Sequence, residues 1–310
     1  MSREGFDVIG LGASTVDLLT VVERFPTRRE AQQALFTTIQ GGGPVATAMA
    51  AASRLGVKTA MIDGIGNDWA GEFVLREFRD EGVETELIEV HPGEKTAIAT
   101  ILIRAADGAR AILFTPGSAP EPSLSKAQRD AIRSAKILHV SGRYWEACMK
   151  AVETAKRSGV QVSFDGGADR YHPRMKALAP LTDICIVARD FARKYTGEDD
   201  PLAAAKSLLS EGPQIAAVTD GANGSWVCAK ETCFHQPAFP FSKIVDTTGC
   251  GDSYHGGFLA AWVKGFTVEK AALIASAVAG LNTQRIGGRT GLPTFDEARK
   301  FLSGRGIALD

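Results

Sequence analysis

The sequence lacks any uninterrupted apolar run of the ~18–20 residues that a membrane-spanning helix requires. Its 310 residues carry 35 Lys and Arg against 36 Asp and Glu, which gives a formal net charge of −1. The densest basic runs, Arg28-Arg29 and Arg299-Lys300, are short and stand close to acids. Binding to a nucleic-acid backbone favours clustered Lys and Arg, so we expect neither a nucleic-acid partner nor a membrane partner.

Cysteine is also scarce, with five dispersed residues: Cys148, Cys185, Cys228, Cys233 and Cys250. No CxxC or HExxH spacing occurs, which argues against a structural zinc site. The chain does not open like a secretory signal, because Arg3, Glu4 and Asp7 precede its first apolar stretch. Scattered cysteines in such a chain are typical of reduced thiols. We therefore expect a cytoplasmic protein without a disulfide framework.

Strand-like and helix-like segments alternate along most of the chain. Short apolar runs predict buried strands at 7–12, 59–63, 137–141, 160–165, 183–187 and 215–219. Amphipathic or alanine-rich stretches between and after them predict helices at 45–55, 70–81, 146–157, 202–211, 252–264 and 268–282. This alternation predicts an α/β fold with a doubly wound, mostly parallel sheet that is flanked by helices.

Two segments depart from that alternation. Residues at about 13–40 and 95–116 contain strand-like runs joined by turns, among them the turn signal Asp107-Gly108. We predict a single α/β domain over 1–310 with a small β-sheet lid built from these two segments. Because the face and edges of a small sheet need cover, we expect a homodimer that forms through the lid.

The segment richest in chemical information is VDTTGCGDSY at 245–254. Gly249 and Gly251 allow successive backbone N–H groups to point into a concavity at the start of a helix, where the helix dipole favours anions. Asp252 follows in the first helical turn, within reach of a hydroxyl beside that anion. Phosphoryl transfer requires donors around the migrating group and a base for the attacking hydroxyl. The simpler alternative is a tight loop with an acidic helix cap.

The extended segment DTTGCGDSYHGGF resembles the second signature of the PfkB (ribokinase-like) carbohydrate kinase family. GGGPVATAMAAASRLG at 41–56 resembles the first signature, VTDGANGSW at 218–226 the nucleotide loop, and GGRTGLP at 287–293 the C-terminal loop. The order of these blocks fits the family over nearly the whole chain. The resemblance implies a ribokinase-like fold and ATP-dependent phosphorylation of a primary hydroxyl of a sugar, with Mg²⁺ as a cofactor.

The resemblance also implies roles for individual residues. It places the general base on Asp252 and the anion hole on the amides of Gly249, Cys250 and Gly251. The implied sugar contacts are Asp17, Gly42, Gly43, Thr47 and Arg143. The implied nucleotide contacts are Thr219, Asp220, Gly221, Gly224, Ser276 and Asn282. In many members a monovalent cation such as K⁺ is bound by backbone carbonyls, which here correspond to Asp246, Thr248, Thr283 and Gly288. For Asp17, Arg143 and Ser276, a purely structural role is the alternative.

Three positions depart from the family pattern. Thr47 stands where the first signature has an Asn that contacts the sugar. Ala188 and Phe191 stand where the family has an Asn-x-x-Glu that organises the waters around Mg²⁺, so other acids or the nucleotide itself must hold that ion. Cys250 replaces a usual Ala, and its place at a helix N-terminus predicts a lowered thiol pKa; the alternative is a small residue of tolerated size.

Within the family, GGGPVATA and SGRYW at 141–145 are most similar to the sulfofructose kinase branch of the ketose kinases. Arg143 then falls toward the anionic end of the substrate. Because Ala31 and Phe114 stand where that branch needs polar groups, we expect a ketose-like sugar or a sugar acid rather than the sulfonate itself. The alternatives are a non-catalytic sugar or nucleotide sensor and a nucleoside kinase of the same fold. The nucleoside kinase would need an apolar wall for the base, for which the candidates are Phe36, Phe114 and Trp145.

Overall fold

The computed structural model describes residues 5–29 and 31–309. Its strands are β1 (Val8–Leu11), β2 (Thr15–Val22), β3 (Phe36–Gly42), β4 (Thr59–Gly66), β5 (Ile88–His91), β6 (Ala97–Arg104), β7 (Arg110–Thr115), β8 (Ile137–Val140), β9 (Gln161–Gly166), β10 (Ile184–Ala188), β11 (Ile215–Thr219), β12 (Ser225–Ala229) and β13 (Thr232–Gln236). Its α-helices are α1 (Pro44–Arg54), α2 (Trp69–Asp80), α3 (Lys126–Ser134), α4 (Trp145–Arg157), α5 (Arg189–Thr196), α6 (Pro201–Ser210), α7 (Cys250–Val263), α8 (Val268–Asn282) and α9 (Phe295–Ser303).

The central sheet has nine strands in the order β13-β12-β11-β10-β9-β8-β1-β4-β5. All neighbours from β11 to β5 are parallel, and β12 and β13 add an antiparallel edge. The predicted α/β fold with a mostly parallel sheet is therefore confirmed. The strand order reverses between β1 and β8, and such a switch point is where open α/β sheets bind ligands, at the carboxyl ends of their strands.

Two apolar cores lie on the two faces of this sheet. Because successive side chains of a strand point to opposite faces, Ile184 and Ile186 of β10 enter one core, and Cys185 and Val187 enter the other. Helices α1, α2, α7, α8 and α9 cover the first core, and α3, α4, α5 and α6 cover the second. Burial on both faces explains why these strands are continuous apolar runs in the sequence.

A separate four-stranded sheet, the small sheet, has the order β3-β2-β6-β7. The segments singled out at about 13–40 and 95–116 supply its strands. Asp17 on β2 is paired with Gln40 on β3 and with Ala99 on β6, and Ala99 is paired with Phe114 on β7. Because paired residues point to the same face of a sheet, this row crosses the face that carries Asp17.

One prediction from the sequence is wrong, because Cys228 and Cys233 form a disulfide. They lie directly opposite each other on β12 and β13, with their Cα atoms 4.1 Å apart. Five positions separate them in the chain, so only the tight hairpin between the two strands makes them neighbours. Cys148, Cys185 and Cys250 are free thiols. Over 5–29 and 31–309, no helix combines the length and the apolar character that crossing a bilayer demands.

Candidate active site

The N-terminus of α7 forms the centre of the site. Gly249, its N-cap, has a left-handed backbone with φ of 69°. A Cβ at this position would lie 2.7 Å from the Cα of Gly288, so a side chain would meet backbone that cannot easily move. A Cβ on Gly251, in contrast, would meet nothing within 4 Å. The first-turn N–H groups of a helix have no intrahelical partner, and Cys250 and Gly251 of this first turn line a cavity, a setting suited to an anion.

Asp252 lies in this first turn with 19% of its side chain exposed. Burial raises the pKa of its carboxyl group, and the nearby charge of Arg170 opposes that rise. Arg170 Nη2 lies 3.6 Å from Asp252 Oδ1. Arg170 follows β9 and does not belong to any motif singled out in the sequence. A carboxylate with a raised pKa at the edge of a cleft has the properties of a general base.

A cavity of about 500 Å³ opens beside the α7 N-terminus. Six residues named as nucleotide or anion contacts line it: Thr219, Gly221, Gly224, Cys250, Gly251 and Ser276. The hydroxyl of Ser276 donates to the Pro237 carbonyl at 3.2 Å. Other parts of the wall are apolar, from Phe239, Phe241, Ile244 and Tyr254. A mostly apolar cavity of this volume with backbone donors at one end fits a nucleotide.

Two residues of the predicted nucleotide set lie elsewhere. Asn282 does not line the cavity: it is fully buried, and its Nδ2 donates to the Gly288 carbonyl at 2.8 Å. In this structure it supports the loop behind the anion hole, and its implied nucleotide contact stays a prediction. Asp220 accepts from Arg189 Nη1 at 2.8 Å and faces an adjoining cavity of about 450 Å³.

The sugar side of the cleft contains Asp17, Gly42 and Gly43. Asp17 is buried, accepts from the Thr15 hydroxyl at 2.7 Å, and has its pKa raised to about 6 by burial. A Cβ on Gly42 would lie 2.2 Å from the Asp17 carboxylate, and Gly43 has a φ of 92°. The charge of Asp252 contributes to the raised pKa of Asp17, so the two carboxyl groups are within electrostatic reach of each other.

Arg289 is a residue that the sequence analysis missed. Its Nε donates to Thr47 Oγ1 at 3.2 Å, its Nη2 to the Gly42 carbonyl at 2.9 Å, and its Nη1 to Glu77 at 2.7 Å. The Thr47 hydroxyl, implied as a sugar contact, is therefore bonded to Arg289. Two features of the sequence could have indicated this contact: the absence of an amide at position 47 and the arginine in GGRTGLP.

Arg143 is exposed and lies beside the small sheet. Its guanidinium carbon is 5.8 Å from the centroid of the Phe114 ring on β7, which is the distance of a cation–π contact. Asp17 and Phe114 lie in the same row across the small sheet, with Ala99 between them. Arg143 is thus at the far end of the row that begins at Asp17.

The positions implied for a monovalent cation come together behind the anion hole. Asp246 Oδ1 accepts from the Thr248 N–H at 2.9 Å, and the Thr283 carbonyl accepts from the Asp246 N–H at 3.2 Å. Asn282 Nδ2 lies 2.8 Å from the Gly288 carbonyl and 3.5 Å from the Thr248 carbonyl. The buried Oδ1 of Asn282 has no hydrogen-bond partner. The implied carbonyls of Thr248, Thr283 and Gly288 therefore lie around the same two side chains, Asp246 and Asn282, and the K⁺ site stays a prediction.

Burial raises the pKa of the Cys250 thiol to about 12, so the predicted lowering is wrong, because desolvation outweighs the effect of the helix N-terminus.

The residues at the Asn-x-x-Glu positions do not fit Mg²⁺. Ala188 has no ligand atom, and Phe191 is buried with its ring 5.7 Å from that of Phe164.

A family model described as pfkB family carbohydrate kinase matches residues 7–295 of this chain. A protein from Archaeoglobus fulgidus, described as an uncharacterized sugar kinase, is 31% identical over 248 residues, which are 78% of this chain and 97% of that protein. The ATP-dependent ribose-1-phosphate kinase of Halopiger xanaduensis is 28% identical over 307 residues, covering 96% of this chain and 98% of the relative.

The solved structure of Arabidopsis thaliana ribokinase complexed with ribose and ATP has a TM-score of 0.85 and 24% identity to this chain. The match covers 96% of this chain and 99% of the ribokinase. The sheet order and the separate small sheet are therefore those of a ribokinase-like α/β fold. Since the family model extends over nearly the whole sequence, the chain belongs to the pfkB family of carbohydrate kinases and is an ATP-dependent sugar kinase.

Proposed function

We propose that this kinase transfers the γ-phosphoryl group of ATP to a primary hydroxyl of a ketose or a sugar acid, with Asp252 as the general base. The observation that carries the proposal is the position of Asp252. It lies in the first turn of α7, directly after Cys250 and Gly251, which line the nucleotide-sized cavity, and within electrostatic reach of the carboxyl group of Asp17. A base at that point contacts the attacking hydroxyl while the helix N-terminus binds the group being transferred.

In the proposed reaction, ATP occupies the 500 Å³ cavity with its adenine toward the apolar wall and its phosphates toward Gly249–Gly251. The sugar hydroxyl gives its proton to the Asp252 carboxylate as its oxygen attacks the γ-phosphorus, and ADP leaves with the electrons of the broken P–O bond. The amides of Gly249, Cys250 and Gly251 stabilise charge on the phosphoryl oxygens in transit. We propose that Mg²⁺ is held mainly by the phosphates of the nucleotide.

Three features of the sugar side support a small polyhydroxy substrate. Asp17 offers acceptor oxygens, Gly42 and Gly43 let the backbone come close to it, and Arg143 offers a positive charge at the far end of the same row. An arginine at that distance favours a substrate with an acidic or anionic group away from the reacting hydroxyl. The curated relative in Halopiger xanaduensis is named for a phosphorylated sugar, which agrees with this preference.

We propose that the small sheet acts as a lid over the sugar and that two lids pair in a homodimer. The region around its edge strands β3 and β7 exposes large apolar side chains: Leu35, Phe36, Ile39, Ile112, Leu113 and Phe114. Each of these is about half exposed, from 46% to 61%. Apolar groups concentrated on one small sheet are typical of a protein–protein contact. Lid closure excludes water, which competes with the sugar as phosphoryl acceptor.

The two alternatives receive less support. Phe36 and Phe114 lie on opposite edge strands of the small sheet, with two strands between them, so they cannot form one wall around a nucleoside base. The ring of Trp145, the third candidate for that wall, is covered by Arg174, whose guanidinium carbon lies 4.9 Å from the ring centroid. A non-catalytic sensor has no need of a buried carboxylate in the first turn of α7, where Asp252 lies.

The test is ADP release from Mg·ATP, with and without K⁺, across a panel of acceptors. The panel contains fructose, tagatose, ribose, 2-keto-3-deoxygluconate, their monophosphates, sulfofructose and adenosine. We expect turnover with a ketose or an acidic sugar. Turnover with adenosine alone would establish the nucleoside kinase instead, and ATP binding without turnover on any acceptor would favour the sensor. Faster turnover with K⁺ than with Na⁺ would support the cation site beside Asp246.

A further inference from the structure

A buried chain of charged side chains lies behind Asp252 and is not part of the reaction described above. Asp165, near the carboxyl end of β9, is 2% exposed, and its two carboxylate oxygens face an arginine and a histidine. Its Oδ2 lies 3.3 Å from Arg170 Nη1, and its Oδ1 lies 3.3 Å from His255 Nε2. The second nitrogen of the same guanidinium, Nη2, lies 3.6 Å from Asp252 Oδ1. Arg170 therefore bridges a buried carboxylate and the candidate base.

His255 and Asp252 lie one helical turn apart on α7. His255 contacts Asp165 on β9, and Asp252 contacts Arg170 in the loop that follows β9, so the four residues form a closed ring of contacts. Burial disfavours the charge of Asp165, yet the charges of Arg170 and His255 outweigh burial and hold the pKa of Asp165 well below its usual range. A permanently charged Asp165 fixes the guanidinium at one end and leaves its other end directed at Asp252.

Glycine at position 167 makes room for this arrangement. A Cβ there would lie 1.7 Å from Arg170 Nη2 and 2.2 Å from Arg170 Cζ. The guanidinium therefore packs flat against the Gly167 backbone, and any larger residue would displace it. The Arg170 side chain is 36% exposed, so the guanidinium is anchored on one side and open to solvent on the other.

We propose that Arg170 is a positioning residue that holds the Asp252 carboxylate ionised and in place for its role as base, with Asp165 and His255 as the anchor. The inference rests on the proposed role of Asp252. An arginine is suited to this task because its planar fork can contact two carboxylates at once and stays charged at every working pH. The opposite charge favours the ionised form of a carboxyl group that burial would otherwise keep protonated.

Other charged and titratable groups also act on Asp252, and the experiment must separate them from Arg170. They come from β9, α7, the small sheet and the loop before α9: Asp165, His255, Cys250, Asp17 and Arg289. Arg289 has the same sign as Arg170, but its guanidinium is already bonded to Thr47, Gly42 and Glu77. Changing Arg170 alone leaves all five groups in place.

The first experiment is the pH profile of kcat in four proteins: wild type, Arg170→Gln, Arg170→Lys and Gly167→Ala. We expect the acid limb to move to higher pH in Arg170→Gln and in Gly167→Ala, where arginine is present but displaced. Turnover at the low end of the profile should fall about tenfold or more, since an opposite charge at this distance lowers a carboxyl pKa by about one unit or more. Arg170→Lys should keep the limb close to that of the wild type.

The matched control is Arg174→Gln on the same loop. Arg174 carries the same charge, is exposed, and stacks on Trp145 without contacting a carboxylate of the site. Its profile should equal that of the wild type. An acid limb that stays in place in Arg170→Gln, with a raised KM for sugar or ATP, would overturn the proposal, because Arg170 would then bind substrate instead of positioning the base.

A second measurement does not depend on turnover. In protein labelled with ¹³C at the Asp carboxyl carbon, the Asp252 resonance is assigned by its absence in Asp252→Asn. We expect its titration midpoint to move to higher pH in Arg170→Gln and in Gly167→Ala. An unchanged midpoint in both variants would refute the inference. If no sugar supports turnover by the wild type, the proposed reaction fails, while this titration still decides the role of Arg170.

Discussion

The proposed nucleotide side and the proposed sugar side of the cleft are built from different kinds of contact. On the nucleotide side, backbone amides at the start of α7 and small residues around the cavity form the site. On the sugar side, the contacts come from side chains such as Asp17 and from Arg289, which bonds Thr47 across a sequence separation of 242 residues. A site made of backbone depends on glycines that stand together in the sequence, whereas a site made of side chains depends on which distant residues meet.

The largest effect is expected where the backbone geometry itself is changed. In Gly249→Ala, a side chain would occupy a left-handed position and lie 2.7 Å from the Cα of Gly288, so the anion hole must distort. We expect kcat to fall by about 10²-fold or more, the loss typical of removing an oxyanion-hole donor, while the KM for the sugar changes less. Steady-state kinetics with ATP and the best sugar of the panel would measure both constants.

Gly265→Ala is the matched control for that variant. Gly265 follows α7 at its other end, has a φ of 84°, and a Cβ there would meet nothing within 4 Å. It carries the same backbone strain, about 1–2 kcal/mol for an L-residue in the left-handed region, but lies away from the cleft. We expect lowered thermal stability and near-normal kcat. Equal losses of kcat in the two variants would mean that strain, not the anion hole, explains the result.

A smaller effect is expected from the ionisation of the sugar-side carboxyl group. Burial raises the pKa of Asp17 to about 6, so falling pH protonates this group, removes its negative charge and weakens it as an acceptor for sugar hydroxyls. The KM for the sugar should rise as pH falls through about 6, approaching tenfold per pH unit well below that value. The KM for ATP should not follow. A sugar KM that is constant from about pH 5 to 8 in the wild type would exclude this role for Asp17.

The smallest kinetic effect is expected from the exposed apolar residues of β7, at the edge of the small sheet. The substitutions Ile112→Glu and Leu113→Glu, at positions 59% and 61% exposed, should convert a dimer into a monomer in sedimentation velocity. We expect kcat to change by less than about threefold and the KM for the sugar to rise, because an unpaired lid closes less firmly. Leu181→Glu, at an exposed apolar position outside the small sheet, is the control. A wild-type protein that sediments as a monomer would refute the lid dimer.

The difference between the two sides also explains how much could be predicted. The parallel strands other than β5, which is not fully buried, were visible because burial on both faces leaves continuous apolar runs. The α7 N-terminus was visible because Gly249 and Gly251 stand beside Asp252. The short helices α3, α5 and α9 were not predicted, since each has only two or three buried side chains to set a period. The roles of Arg170 and Arg289 depend on tertiary contacts, as does the Cys228–Cys233 pair, and no local pattern records them.

The most direct test of the central claim is turnover and ATP affinity in the single variant Asp252→Asn. The amide is nearly isosteric with the carboxylate but cannot accept the proton of the sugar hydroxyl. We predict that kcat falls by at least about 10²-fold, as expected for the loss of a general base. The Kd for ATP, measured by calorimetry, should stay within about threefold of the wild type. Near-normal turnover in Asp252→Asn would contradict the assignment of Asp252 as the base.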